Sequence, residues 1–463
     1  MAVTFALVLG AMVVIHELGH FLVAKFFGIR VEVFSVGFGK RLWGMKRGDT
    51  DYRLSLIPLG GYVKMAGENL DEQVTGAPDE FMSKPKWQRF CVAVAGPVMN
   101  IITALIIPAA LVMFHYEVPA SLNKPAVISA IEPSSPAEQA GLKPGDQIVE
   151  IAGESIPTWR DVTEQVIVRP DQDVPVTIKR EGETRQVNVR MGSDPSEQEK
   201  LGYLGASPDP GPNTKIIVES IEAGSPAAEA GLKPGDQIVA VNGSTVAQNR
   251  QGTHSIIRTI QASAGQPVTL TVKRADETVD IKATPRPVDG AQRLGFGQTL
   301  HGAEMIVTRL GPIEAIKYSF DYNMRILRLT KTALAQVFVG QRSARDTLTG
   351  PVGIFKLSGQ AAEQGVQSVF TLMALLSLNL GIFNLLPIPV LDGGMIFMLA
   401  LEGLLGLFGL TLTLRVKEKM MQVGFVMLML LMGFVIFNDI SKLFPSRATP
   451  PPQVEQQAPS GNK

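Results

Sequence analysis

His16-Glu17-Leu18-Gly19-His20 sets two imidazoles four residues apart with a carboxylate beside the first. On a helix, residues four apart share a face. The pair can then hold one zinc ion, with Glu17 as the general base of a metalloprotease. The alternative is a pair of packed or surface histidines. It is weak here because the segment is apolar and of bilayer length, where ionisable groups are costly and functional by default. A catalytic zinc site needs three protein ligands and an open position for water. The single cysteine, Cys91, excludes a Cys-type cluster. The acid closest to the C-terminal end of a later apolar stretch is Asp392, in Asn384-Leu385-Leu386-Pro387-Ile388-Pro389-Val390-Leu391-Asp392-Gly393-Gly394. Prolines and glycines break the helix there, and irregular backbone at membrane depth is tolerated only inside protein or along a polar cavity. A broken helix carrying an acid is where the third ligand is expected. His115, His254 and His301 lie outside the apolar spans with no partner at ligand spacing.

Apolar spans have to carry these groups, and they crowd the two ends of the chain. They run from Met1 to Ile29, Phe90 to Phe114, about Val366 to Val390 and about Met420 to Phe437. Each is near the ~20 residues that a bilayer core requires. Met395 to Leu414 is also apolar but contains Glu402 and several glycines, so it reads either as a fifth span or as an interfacial helix. Arg415, Lys417 and Lys419 follow it and favour a cytoplasmic position. With four spans, Gly28 to Arg89 shares that side, and the N-terminus, the central loop and the tail lie outside the cytoplasm. Met1-Ala2-Val3-Thr4 lacks the basic start of a signal peptide, so the first stretch is expected to stay as a span. The 463 residues suggest about three domains. Charged residues make up 19%, with 43 basic against 43 acidic, which argues against a nucleic-acid partner. The Pro/Gln-rich end, 445–463, reads as a disordered tail.

Between the spans, Ser135-Pro136-Ala137 through Gly141-Leu142-Lys143-Pro144-Gly145-Asp146-Gln147-Ile148-Val149 recurs from Ser225 through Gly231-Leu232-Lys233-Pro234-Gly235-Asp236-Gln237-Ile238-Val239. The offset suits one small domain per copy. Ser-Pro-Ala caps a short helix, the glycine ends it, Pro-Gly-Asp turns, and Ile-Val starts a strand. Paired strands follow, Val174 to Lys179 with Gln186 to Met191, and Val268 to Lys273 with Val279 to Ala283. The pattern resembles the PDZ domain, over 119–208 and 212–298. PDZ domains bind extended peptides on a sheet edge. The resemblance implies ligand loops at Tyr203, Leu204 and Gly205 and at Leu294, Gly295 and Phe296; the alternative is two ordinary glycine turns.

The pairing of H-E-x-x-H with Asn384-x-x-Pro387-x-Pro389-x-Leu391-Asp392-Gly393 resembles the site-2 proteases, a family of intramembrane zinc metalloproteases. Nearly the whole chain is covered. The implied fold is a multi-pass α-helical membrane protein with four membrane helices, a membrane-associated β-hairpin and two inserted PDZ domains (α+β). Its parts would be 1–114, 119–208, 212–298, a connector with an amphipathic helix over 299–365, 366–444 and the tail. The resemblance implies one zinc ion per chain on His16, His20 and Asp392, Glu17 as catalytic base, and Asn384 and Asn379 as substrate-positioning residues. Asp51 to Met65 reads as two short strands around a Pro/Gly turn, with Gly60, Gly61 and Tyr62 at an edge that would pair with an unwound substrate. Gly37-Phe38-Gly39-Lys40 is similar to the family's GxG loop, and Gly96-Pro97 with Asn100 reads as structural. Implied substrates are single-span membrane proteins, such as a pre-trimmed anti-sigma factor, and remnant signal peptides. Implied too are a monomer in the bacterial inner membrane, the active site toward the cytoplasm, and periplasmic PDZ domains acting as a size filter. A non-catalytic PDZ scaffold and a metal transporter are the competing classes. The first would be expected to lose Glu17 or a ligand, the second to carry acids and histidines in several spans.

Overall fold

Long apolar stretches satisfy their own backbone only by becoming helices, and among the described residues nine helices of nine residues or more organise the chain in the computed structural model. They are α1 (Ala2–Phe26), α2 (Lys86–Phe114), α3 (Trp159–Ile167), α4 (Arg250–Ala262), α5 (Pro312–Phe338), α6 (Pro351–Gln364), α7 (Val366–Asn384), α8 (Asp392–Leu407) and α9 (Leu414–Leu443). The structure describes residues 2–68, 75–193, 201–275, 277–288, 291–347, 350–410 and 413–443, so the tail read as disordered lies outside the described residues. The chain divides into two units, Met1–Ile107 with Leu348–Lys463, and Pro108–Thr347.

Among the described residues, four helices are long and apolar enough to cross a membrane: Ala2–Phe26, Lys86–Phe114, Val366–Asn384 and Arg415–Ser441. The fourth starts earlier than its hydropathy suggested, because Arg415, Lys417, Glu418 and Lys419 are good helix formers that an apolar window does not see. The third stops at Asn384 rather than Val390, since Pro387 and Pro389 cannot continue the ladder. The candidate fifth span is α8, whose 16 residues reach about 24 Å against a hydrocarbon core of about 30 Å. It is not among the four. Small residues set the spacing: a Cβ on Gly19 of α1 would overlap the Ala95 carbonyl of α2, and one on Gly381 of α7 would lie 3.0 Å from the Pro97 carbonyl. Ser377 donates to the Asn100 carbonyl at 2.8 Å, tying α7 to α2. A buried acid, Asp439 on α9, accepts from the backbone N–H groups of Gly350, Val352 and Gly353 at 3.0–3.2 Å. It satisfies the orphan donors at the start of α6.

Two strands, β1 (Val31–Arg47) and β2 (Thr50–Met65), complete the first unit. The pairing corrects the reading of Asp51 to Met65. Its two halves do not pair with each other. Val33, Phe34, Ser35 and Val36 each pair twice, with Asp51–Leu54 on one side and with Gly61–Lys64 on the other. The centre of β1 therefore separates them, and Gly61–Lys64 lies at an edge with no further strand among the described residues. Leu42, Trp43, Met45, Leu56 and Ile57 are exposed on the far part of this ribbon, an apolar tip suited to lipid.

The second unit holds the two repeat copies. The N-caps form as the sequence predicts: Ser135 and Ser225 accept from the N–H groups of Glu138 and Ala228. Asp146 pairs through both oxygens with Arg180 at 2.6 Å, and Asp236 with Arg274 at 2.7–2.8 Å. Burial is the strongest single influence and raises both carboxyls, but the guanidinium hydrogen bonds, the Lys143 and Lys233 backbone N–H groups and the neighbouring positive charges together hold them below the ordinary value. Strands Asp173–Arg180 and Glu183–Arg190 pair in the first copy, Val268–Arg274 and Glu277–Ala283 in the second. Each copy closes its own apolar core, around Ile148, Ile151 and Val176 and around Ile238, Leu270 and Val272. In the second copy the sheet ends on β3 (Phe296–His301), which pairs with Lys215–Ile221. Helix α5 packs Ala315 against Ala109 and Val112 and leaves Ile313, Ile316 and Phe320 exposed, an amphipathic face as the spacing predicts.

Candidate metal centre

One turn of α1 brings His16 and His20 to the same face, and both are buried. Their Nε2 atoms lie 3.2 Å apart. Asp392 reaches them from the start of α8, Oδ2 at 3.0 Å from His16 Nε2 and Oδ1 at 3.4 Å from His20 Nε2. Donors about 2.0–2.1 Å from a tetrahedral ion stand about 3.3–3.4 Å from one another. The His16–His20 and His16–Asp392 separations are close to that spacing, one donor atom from each of the three residues lies within 4.8 Å of the others, and the two-imidazole, one-carboxylate set suits zinc.

Each imidazole is held from behind. His20 Nδ1–H donates to the Val92 carbonyl at 2.8 Å, which leaves Nε2 free to coordinate. His16 Nδ1 faces the Asn100 amide at 3.1 Å. Asn100 is fully buried and its Oδ1 has no partner among the described residues. The amide orientation that sets Oδ1 on His16 Nδ1–H removes that orphan and frees His16 Nε2. A side chain at Gly96 would overlap His20 Nε2 and come within 2.8 Å of His16 Cε1. Gly96 and Asn100, read from the sequence as structural, thus lie against the two imidazoles themselves. Their place in the second apolar span was visible in the sequence; which side chains they meet was not.

Asp392 depends on an unusual backbone. After α7 ends, the chain turns through Leu385–Leu391, and Val390 adopts a positive φ of 90°, which is costly for a β-branched residue. A Cβ at Gly393 would overlap the Leu386 carbonyl, and one at Gly394 would come 2.5 Å from the Ile388 carbonyl. Only glycines let α8 start this close to the turn.

A cavity of about 300 Å³ opens on the triad and is lined by Glu17, Tyr62, Val63, Glu68, Asn384 and Met395 among others. Asn384 lies 3.4 Å from His16 Nε2 through its amide. Asn379 does not line the cavity; its Oδ1 is buried without a partner among the described residues. Gly60 and Gly61 do not line it either. They permit close packing, since a Cβ at Gly60 would meet the Phe38 ring at 2.6 Å and one at Gly61 the Ser35 carbonyl at 2.5 Å. Of the three, Tyr62 faces the cavity. The strand edge beyond it is held by two acids. Glu17 Oε2 accepts from Val63 N–H at 3.1 Å, and Glu68 Oε2 accepts from Met65 N–H at 3.2 Å. Glu68 has no sequence signal, because nothing about its spacing marks it. Burial pushes its carboxyl above the ordinary value.

In the repeats, Gly205 and Gly295 have φ of 74° and 75°, so both loops use left-handed glycines. The side chains of Leu204 and Leu294 belong to the two cores, and Phe296 packs partly against the second. Tyr203 faces a cavity between the copies.

A family model described as Peptidase family M50 matches residues 4–431. The regulator of sigma-E protease RseP of Salmonella typhimurium is 34% identical over 459 residues, spanning 95% of this chain and 98% of its own. The protein of the same name from Escherichia coli strain K12 is 33% identical over 457 residues, with the same coverage. Protease RseP of Yersinia pestis is 34% identical over 459 residues, again 95% and 98%.

Proposed function

Since this chain belongs to peptidase family M50 and is a zinc metalloprotease, we propose that it hydrolyses peptide bonds inside membrane-spanning segments, using one zinc ion held by His16, His20 and Asp392. The observation that supports this best is the convergence of those three donors within a bundle of membrane-length helices, beside an open strand edge. When bound, zinc polarises the scissile carbonyl and lowers the pKa of its water. Glu17 would take a proton from the attacking water and pass it to the leaving amine. Asn384, whose amide reaches the same space as His16 Nε2, holds the substrate backbone; Asn379 acts from the same helix.

A helical substrate shields its own carbonyls, so it has to unwind before it can be cut. The Gly61–Lys64 edge suits an extended segment, which adds there as a further strand. Its carbonyls take over the N–H groups of Val63 and Met65, now held by Glu17 and Glu68. Docking thereby releases the Glu17 carboxylate to act as base. Gly60 and Gly61 keep the strand close to β1, and Tyr62 contacts the substrate.

The substrates are single-span membrane proteins of the anti-sigma-factor type, already trimmed outside the membrane, together with remnant signal peptides. The protein acts as a monomer in the bacterial inner membrane, its active site toward the cytoplasm. The repeat copies are periplasmic PDZ domains that admit only trimmed substrates, and their loops at 203–205 and 294–296 cap peptide grooves. Deleting 119–298 is expected to let substrates with intact ectodomains be cut; if they stay uncut while a trimmed reporter is cleaved, the filter is wrong. The reaction itself is tested with purified protein and a single-span reporter in detergent. Cleavage is expected within the span, lost with a zinc chelator and restored by added zinc. Cleavage outside the span, or cleavage indifferent to the chelator, rejects the proposal.

A further inference from the structure

The sheet of the second copy ends on β3, whose outer edge carries no strand among the described residues; Gln298 of β3 donates to the Thr253 carbonyl of α4 at 3.1 Å, and both elements line one cavity. Along α4, Arg250, His254, Ile257 and Gln261 follow helical spacing and line one wall of a cavity of about 900 Å³. An edge strand beside a helix is the geometry in which a peptide adds to a sheet. The wall is cationic where α4 begins, and no acid of the second copy lines the cavity among the described residues.

An acid of the first copy does. Glu132 Oε1 lies 3.5 Å from His254 Nε2 and 3.9 Å from Arg250 Nη1, and its other oxygen accepts from the Tyr203 hydroxyl. The hydrogen bond from His254 comes first among the causes that hold the Glu132 carboxyl below its ordinary value. The site has further capacity. His254 is only 9% exposed and its Nδ1 has no partner among the described residues, and the same holds for the buried Gln298 Oε1 on β3. An unmade hydrogen bond at a buried polar atom is costly, so such atoms mark where another polar group belongs. Among the described residues one further ion pair joins the copies, Arg258 with Glu138 at 2.5 Å; both side chains are exposed, and it contributes little.

We propose that the α4–β3 groove binds an extended peptide through an acidic side chain, and that Glu132 occupies that acid's place until the peptide displaces it. This deepens the reading of Leu294–Phe296 as the cap of a peptide groove, and rests on it. The first copy then serves as a tethered competitor. Tethered groups act at effective concentrations near the millimolar range, so only a peptide with a well-placed acid opens the groove. Peptide binding and separation of the copies are coupled in consequence.

The test uses the full chain in detergent and two fluorescein-labelled octapeptides of Val, Ser and Thr. One carries Asp at the third position from its C-terminus, the other Asn. Fluorescence anisotropy is expected to show the Asp peptide binding about tenfold tighter, the size of one charge-assisted hydrogen bond. Glu132→Gln keeps the shape of the side chain and removes its charge, and is expected to tighten Asp-peptide binding several-fold. Arg250→Gln with His254→Gln is expected to erase the Asp preference. The Asp-to-Asn ratio should survive amidation of both C-termini, because the charge being read is on a side chain. Equal binding of the twins, a preference that vanishes on amidation, or Glu132→Gln leaving affinity unchanged overturns this inference while the groove stands. No binding of either peptide, even to Glu132→Gln, overturns the groove as well.

Discussion

Glu17→Gln is expected to slow cleavage of a single-span reporter by about 10²–10⁴-fold, the range of a lost general base, while zinc content per chain stays at the wild-type level. The two effects separate because Glu17 is not one of the three converging donors. Its carboxylate instead accepts from Val63 N–H beside them. Glutamine keeps that acceptor oxygen, so the strand stays where it is, but an amide cannot take a proton from water. Reporter cleavage and metal analysis on the same preparation check this. Retained activity would remove Glu17 from the chemistry, and lost zinc would make it a ligand or a structural support.

Asp392→Ala is expected to empty the site and reduce cleavage to background. Two imidazoles remain, and a two-donor site does not hold zinc against dialysis when a catalytic site normally has three protein ligands. The loss in affinity should exceed the 10–100-fold typical of an outer partner, for which Asn100→Leu behind His16 is the internal comparison. The measurement is zinc retained after dialysis against a buffered competitor, with a folding control by thermal denaturation in detergent. If the Asp392 variant keeps its zinc as well as Asn100→Leu does, the third ligand is some other group and the assignment fails.

Both variants probe a contrast between what a linear pattern carries and what it cannot. The imidazole pair was legible because a helix repeats every 3.6 residues, so His16 and His20 had to share a face once α1 was helical. Asp392 was legible because prolines and glycines beside an acid are poor company inside an apolar span. The repeat was legible down to its caps, since Ser135 and Ser225 begin their short helices as the Ser-Pro spacing requires. Glu68 was not, because a carboxylate three residues past a strand has no period to betray it. Asn100 was visible but its part was not, because its partner is 84 residues away.

The segment Asp51 to Met65 marks the boundary. Its two extended halves followed from β-branched and aromatic residues around Pro58 and Gly60, but their partners did not. Strand pairing is made between residues distant in sequence, and a segment's own pattern does not say which edge of which strand it meets. Which stretches are helical, where they break, and which side chains are able to bind a metal are local consequences of backbone geometry and solvation, and so are readable in one dimension. That the Val63 and Met65 edge abuts Glu17 and Glu68, and that Glu132 of the first copy lines a cavity beside Arg250 and His254 of the second, follows from the fold alone. Those contacts come from the packing of whole elements, whose energy is shared among many residues and written in no single one.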